Sequence, residues 1–118
     1  MKRLFPAVLL LASLAFAPAD LAAKPLSRII RDIGLSPDDF TMFSAAGESL
    51  YATSSPRPGK VVTWSNPESK SRGTVKLAAM RDNCAYLQHF VFPKGADKSR
   101  EIRTHLCRNS DGKWLLQP

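Results

Sequence analysis

The spacing of the apolar residues changes near position 60 of the chain. Before this point, as in residues 26–33, they recur every three to four positions, which is the stripe of an amphipathic helix. After it, β-branched and aromatic runs alternate with turn residues, which is typical of an antiparallel sheet. The pattern predicts a helical segment and linker over residues 24–59, followed by a β region over residues 60–118 of the same domain.

A second helix is predicted from residue 37 to about residue 52 by its start signal. Ser36 is a favourable N-cap, Pro37 suits the first helical position, and two acids follow in the positively polarised first turn. The helix ends at residues 53–59, a segment rich in serine and proline that cannot continue it.

Five short runs after this linker have the composition of strands, and turns containing Pro, Gly, Asn or Asp separate them. They cover residues 61–64, 74–80, 84–92, 100–107 and 113–116. Helical segments ahead of successive hairpins predict an α+β fold. We expect an N-terminal helix or helices packed on a four- to five-stranded antiparallel meander with one disulfide.

The first 23 residues have the pattern of a cleaved secretory signal peptide. Lys2 and Arg3 form its positive region, an apolar run follows, and small residues place the cleavage after Ala19 or Ala23. The apolar run is shorter than the roughly 20 residues that a spanning helix needs. We therefore expect a mature chain without a transmembrane helix and, since no cysteine lies near the cleavage site, without an N-terminal lipid.

Composition limits the classes of protein that remain. The chain has 118 residues, with 44% hydrophobic and 23% charged, which fits one globular domain and excludes a disordered chain or a collagen-like repeat. It carries 17 Lys and Arg against 10 Asp and Glu, a net charge of +7. This basic excess also survives removal of the signal segment.

The basic residues of the β region and its linker fall into two groups. The first lies between positions 57 and 81, and the second consists of Lys94, Lys98, Arg100, Arg103 and Arg108. The pattern favours a solvated polar face, and the functional interpretation is a surface that binds anions such as phospholipid head groups or lipopolysaccharide phosphates. Because the signal segment predicts export, nucleic acid is not expected as a partner. The candidate anion-binding residues are Arg57, Lys60, Lys70, Arg72, Lys76 and Arg81.

The two cysteines test the register of one hairpin. If the strands 84–92 and 100–107 pair about the turn near residues 95–96, Cys84 lies directly opposite Cys107. Facing pairs in an antiparallel sheet have Cβ atoms about 4.5–5.5 Å apart, so a disulfide is feasible. In the chain-entropy account, closing this loop stabilises the fold by roughly 3 kcal/mol, which matters for a small domain.

Two functional interpretations of the cysteines and histidines, a zinc site and a Cys–His nucleophile, have less support than the disulfide. Cys84, His89, His105 and Cys107 include zinc-ligand types, but His89 faces the opposite side of the predicted hairpin from the others. A Cys–His nucleophile is incompatible with a disulfide-bonded sulfur. There is no glycine-rich phosphate loop, serine elbow or paired-carboxylate motif, so no catalytic residue, metal or cofactor is predicted.

The strand half also carries a spaced series of motifs. They are Val62-Thr63-Trp64-x-Asn66-Pro67-x-Ser69, Gly73-Thr74-Val75, Cys84, Val91 and Cys107-Arg108-x-x-Asp111-Gly112-x-Trp114. In this combination, residues 60–114 resemble the C-terminal domain of the rickettsial-type surface antigen family, the seventeen-kilodalton outer membrane antigens and their proteobacterial relatives. Many of those proteins are lipoproteins with a glycine-rich segment before the domain, and this sequence departs from them in both respects.

The resemblance implies structural roles for the matching residues. The Asn66-Pro67 and Asp111-Gly112 pairs are expected in turns, Trp64 and Trp114 in the core or packed on the sheet, and the cysteines in a bridge. Gly73 and Arg108 belong to the same structural set. The resemblance implies no catalytic site.

Together these features predict a non-enzymatic cell-envelope protein of a Gram-negative bacterium, with a structural or binding role in the periplasm or at the outer membrane or cell surface. Its expected partner is lipopolysaccharide, an anionic lipid or another envelope protein. Two alternatives stay open: an exported, inhibitor-like protein-binding module, and a small exported hydrolase that uses His105 or His89.

Overall fold

A computed structural model describes residues 25–118. The predicted signal peptide, residues 1–23, lies outside the described residues. Two helices are followed by five strands and one 3₁₀ turn. They are α1 (Leu26–Asp32), α2 (Pro37–Tyr51), β1 (Val61–Asn66), β2 (Ser71–Arg81), β3 (Cys84–Phe92), the 3₁₀ turn Pro93–Gly95, β4 (Arg100–Arg108) and β5 (Trp114–Leu116). The strands form one antiparallel sheet in the order β1-β2-β3-β4-β5.

The structure corrects the predicted fold. The prediction left open one helix or several and four strands or five, whereas residues 25–118 contain two helices and five strands. The strand bounds were also wrong, because β1 continues through Asn66 and β2 begins at Ser71. These polar residues pair across the two strands, and such pairing overrides low intrinsic strand propensity. The helical layer is also off-centre, since α2 packs mainly on β1 and β2.

A capping box fixes the start of α2. The Ser36 hydroxyl accepts a hydrogen bond from the Asp39 backbone N–H at 3.1 Å, and the Asp39 carboxylate accepts one from the Ser36 N–H at 2.9 Å. Pro37 occupies the first helical position, where its missing N–H is not needed. The start predicted from the sequence is therefore confirmed. The reciprocal bonds give the backbone N–H groups of Ser36 and Asp39 each a side-chain acceptor.

The core lies between α2 and one face of the sheet. Phe43, Ala46 and Leu50 are buried on α2, and strict alternation along β3 buries Leu87 and Val91. The opposite face of the sheet, called the outer face below, presents the alternate residues of each strand. Because no helix in residues 25–118 packs on this outer face, its side chains are half-exposed or exposed.

A β-bulge in β2 reverses which residues reach the outer face. Up to Leu77 the odd-numbered residues of β2 are buried, but the register against β3 shifts between Leu77 and Ala79. Beyond this shift Met80 pairs with the buried Ala85, and Arg81 pairs with Cys84 on the outer face. Without the extra residue, Arg81 would share the inward face of Leu77.

Gly73 gives a first testable prediction, because it pairs with Trp64 on the core side of the sheet. A Cβ at this position would lie 2.5 Å from Trp64 Nε1 and 2.7 Å from Cε2. We expect Gly73→Ala to lower the free energy of unfolding by about 1–3 kcal/mol, since the buried indole must move. Urea unfolding followed by tryptophan fluorescence measures this.

The matched control for Gly73→Ala is Ser65→Ala, on the neighbouring strand but at an exposed position. It should change stability by less than about 0.5 kcal/mol. Equal stability of the Gly73→Ala variant and the wild type would contradict the described position of the indole.

Candidate functional site

The outer face gathers three basic residues of β2 in one row. Arg72 and Lys76 are exposed on it, and the bulge brings Arg81 to the same side. Since side chains on one face of a strand follow each other at roughly 6.6–6.8 Å intervals, the row extends along most of the strand. The result is a positively charged stripe on a sheet surface that no described helix covers.

Both arginines of this row contact aromatic rings on β3. The Arg72 guanidinium carbon lies 3.9 Å from the centroid of the Phe92 ring, and that of Arg81 lies 4.8 Å from the Tyr86 ring. Both distances are within the range of cation–π contacts. The contacts limit the freedom of the two arginines, so less side-chain entropy is lost when they bind an anion.

Each stacked arginine lies beside a shallow depression of the outer face. One, of about 460 Å³, is lined by Arg72, Phe92 and residues of β1. The other, of about 440 Å³, includes Arg81, Tyr86 and the bulge residues Ala78 and Ala79. The bulge therefore shapes the surface as well as directing Arg81.

A third arginine of this surface, Arg103 on β4, belongs to the second basic group and was not among the six candidate anion-binding residues. Arg103 pairs with Gln88 in the sheet and lines the second depression. Its Nε donates a 2.7 Å hydrogen bond to Glu101, which also accepts one of 3.0 Å from Gln88. The Arg103 bond is the main reason that the pKa of the Glu101 carboxyl is lowered. The alternation of β4, extended from the predicted cysteine register, was the signal that could have found it.

The structure separates the other predicted anion-binding residues from this row. Arg57 and Lys60 line a different surface depression, of about 690 Å³, beside the C-terminal end of α2. Lys70 lies in the turn between β1 and β2 and has a positive φ of 62°. Of the six predicted residues, the outer face brings together Arg72, Lys76 and Arg81.

Besides forming a turn, the Asn66-Pro67-x-Ser69 motif binds the buried carboxylate of Asp39. Asn66 Nδ2 and Ser69 Oγ donate hydrogen bonds of 2.8 and 2.6 Å to one oxygen of Asp39, which is fully buried. Burial raises the pKa of the Asp39 carboxyl, but these bonds and the Ser36 N–H outweigh it, so the net pKa is lowered. The motif ties the β1–β2 turn to the start of α2.

The same network extends to the turn after β3. Ser69 Oγ accepts a 3.1 Å bond from the Ser71 N–H, and Ser71 Oγ accepts a 3.0 Å bond from the Lys94 N–H. Three separate parts of the chain are therefore joined beneath one end of the sheet.

The C-terminal motif forms the turn between β4 and β5. Gly112 has a φ of +79°, a conformation that glycine adopts without strain. The Asn109 side chain accepts hydrogen bonds from the N–H groups of Asp111 and Lys113 at 3.0 and 2.9 Å. Trp114 packs on Tyr51 of α2, with ring centroids 4.7 Å apart.

The predicted disulfide between Cys84 and Cys107 is confirmed. The residues are directly opposite in the β3–β4 hairpin, with Cα atoms 4.0 Å apart and the sulfurs bonded. His105 lies beside this bridge on the outer face, whereas His89 is buried on the inner face. The four residues of the zinc hypothesis are not gathered at one place.

His89 lies in the core and has unusual surroundings. Its ring stacks on Phe43, with centroids 3.7 Å apart and planes 14° apart. Burial lowers the pKa of His89 to about 3, and its Nδ1 has no hydrogen-bond partner within residues 25–118. It lines a small, partly open pocket of about 60 Å³ together with Thr104, whose buried hydroxyl also has no hydrogen-bond partner among the described residues.

No family, curated protein or solved structure matches this chain. The resemblance to the surface antigen family therefore stays a prediction. In the part of the chain from Pro25 onwards, neither helix has the length and apolar character needed to cross a membrane.

Proposed function

We propose that this protein is a non-enzymatic, exported binding protein that attaches to phosphate groups of anionic lipids in the cell envelope of a Gram-negative bacterium. The observation that carries the proposal is the row of Arg72, Lys76 and Arg81 on one uncovered sheet face. Lipopolysaccharide phosphates present the same chemistry and form a second arm of the test.

The composition of the outer face supports an anionic ligand. The rings of Phe92 and Tyr86 on this face lie under the guanidinium groups of Arg72 and Arg81. The acid Glu101 is engaged by Arg103 and Gln88, so it opposes the row less than a free carboxylate would. Each basic residue close to an anionic membrane surface contributes about 1 kcal/mol to binding, and the contribution weakens with salt.

Export is supported by the signal pattern and by the disulfide. Disulfides persist in oxidising compartments such as the periplasm and are rare in the cytosol. An exported basic protein meets anionic lipid before it meets nucleic acid, which favours lipid as the ligand of this face.

The decisive experiment is co-sedimentation of the protein lacking residues 1–23 with vesicles. The wild type should bind vesicles of phosphatidylglycerol and not those of phosphatidylcholine alone. The triple variant Arg72→Gln, Lys76→Gln, Arg81→Gln should bind about a hundredfold more weakly, because three contributions of about 1 kcal/mol are lost.

The matched control removes the same charge from other surfaces, as Arg28→Gln, Arg31→Gln, Arg57→Gln, all at exposed positions. Its loss should be less than about tenfold. Equal losses in the two triple variants would show that net charge, and not the outer face, governs binding. Absence of binding to both phosphatidylglycerol and lipopolysaccharide at low salt would overturn the proposal.

A further inference from the structure

Three metal-ligating side chains converge at one corner of the outer face. The ligand atoms of Cys84, His105 and Cys107 all lie within 4.8 Å of one another. His105 Nε2 is 3.3 Å from Cys107 Sγ, so the ring points at the bridge and not into solvent. All three residues are half-buried, so none of them is enclosed in the core.

The sheet holds these side chains together independently of the disulfide. Cys84 pairs with Cys107, and Tyr86 pairs with His105 two positions along, as the next pair on the same face of the hairpin. The His105 ring is fixed by stacking on Tyr86, with centroids 4.4 Å apart and planes 15° apart. Because backbone pairing and stacking need no sulfur–sulfur bond, the three ligand atoms stay close when that bond is broken.

We propose that reduction of the Cys84–Cys107 disulfide creates a binding site for a zinc-type cation, with the two thiolates and His105 Nε2 as ligands. A dithiol supplies two electrons and two protons. It breaks the protein sulfur–sulfur bond, leaves two cysteine thiols and becomes a cyclic disulfide. Binding of one Zn²⁺ then releases the two thiol protons, and a water molecule takes the fourth position.

The geometry fits this class of ion. With Zn–S near 2.3 Å and Zn–N near 2.0–2.1 Å, the sulfur and nitrogen of a tetrahedral site are about 3.5 Å apart. The observed Nε2···Sγ distance of 3.3 Å already lies close to that value. The two sulfurs must separate to about 3.8 Å, and rotation of the cysteine side chains provides this movement without a change of strand register.

Protonation and charge are also consistent with the site. Whether His105 Nε2 donates to Cys107 Sγ depends on the tautomer of the ring. The tautomer with its proton on Nδ1 leaves Nε2 free to bind the ion. Two thiolates and one Zn²⁺ have no net charge, so the neighbouring Arg81, which pairs with Cys84, does not repel the loaded site. His105 lines the same depression as Arg81, but the proposed zinc site does not rest on the proposed lipid binding.

The experiment treats the chain lacking residues 1–23 with a phosphine reductant under nitrogen. Zn²⁺ affinity is then measured by competition with a chromophoric chelator, and Co²⁺ serves as a spectroscopic probe. We expect one Zn²⁺ per reduced chain and none per oxidised chain, with thiolate-to-cobalt charge-transfer bands. His105→Ala should weaken binding by more than about tenfold, because even outer-shell losses cost 10–100-fold at metal sites.

The matched control is Gln88→Ala, at a half-buried position of the same face, which should leave Zn²⁺ affinity unchanged. Circular dichroism of the reduced protein, with and without Zn²⁺, shows whether the fold is retained without the ion or regained when it binds. Either result supports the proposal if Zn²⁺ binding is lost when Cys84 or His105 is replaced. A reduced chain that binds no Zn²⁺, that stays unfolded in its presence, or whose affinity is unaffected by His105→Ala overturns it.

Discussion

Replacing Asp39 by alanine is expected to lower the free energy of unfolding by about 3–5 kcal/mol, the range of the largest single-residue effects. The carboxylate is fully buried and accepts bonds from the Ser36 N–H, Asn66 and Ser69. Its removal leaves these three donors without their acceptor, and each unsatisfied buried donor costs about 1–3 kcal/mol, less where water can reach it. Urea unfolding at pH 7 measures the loss.

The adjacent acid Asp38 provides the matched control. It is exposed and lies in the same first turn of α2, so it shares the favourable position in the helix dipole but none of the buried bonds. Asp38→Ala should therefore cost less than about 1 kcal/mol. Similar losses in the two variants would mean that the dipole, and not the bonds to Asn66 and Ser69, accounts for the role of Asp39.

The second large effect is an acid instability caused by His89. Burial lowers its pKa from 6.5 to about 3, so between these values the unfolded chain binds a proton that the folded chain does not. The stabilisation is complete above pH 6.5 and is lost as the pH falls towards 3. One such proton changes stability by about 1.4 kcal/mol per pH unit, so the total across this range is several kcal/mol.

Asp39 contributes in a lower pH range and can be separated from His89. Its pKa is lowered from 3.8, so its contribution is present above that value and is lost as the pH falls through the folded-state pKa. Loss of stability between pH 6.5 and about 4 is therefore assigned to His89. Denaturation midpoints across this range should fall steeply for the wild type and much less for His89→Leu. An unchanged slope in His89→Leu would contradict the assignment.

The cysteine register shows what local pattern can predict. Alternation along β3 and β4, together with one recognisable turn, was enough to place Cys84 opposite Cys107. The start of α2 was equally accessible, because Ser36 and Pro37 act within a few residues of their own positions. Both features depend on interactions that are short in sequence or that follow from a single hairpin.

The bulge and the Asp39 network had no such local signal. The bulge positions are occupied by Ala78 and Ala79 and not by glycine or proline. Nothing in the sequence therefore marked the position at which Arg81 changes face. The bond between Asp39 and Asn66 spans 27 positions, and its existence depends on how α2 docks on β1. The strand bounds were wrong for the same reason, since partner strands decide where pairing begins and ends.

The strand order has a consequence for how the chain reaches this fold. Every strand pairs only with its neighbours in sequence, so each step of sheet formation closes a short loop at a low entropic cost. Local contacts of this kind favour rapid folding. The docking of α2, completed when Asp39 accepts the bonds from Asn66 and Ser69, joins parts of the chain that are farther apart than the two strands of any hairpin. The sheet can therefore assemble hairpin by hairpin, and this docking is what commits it to a single inward face.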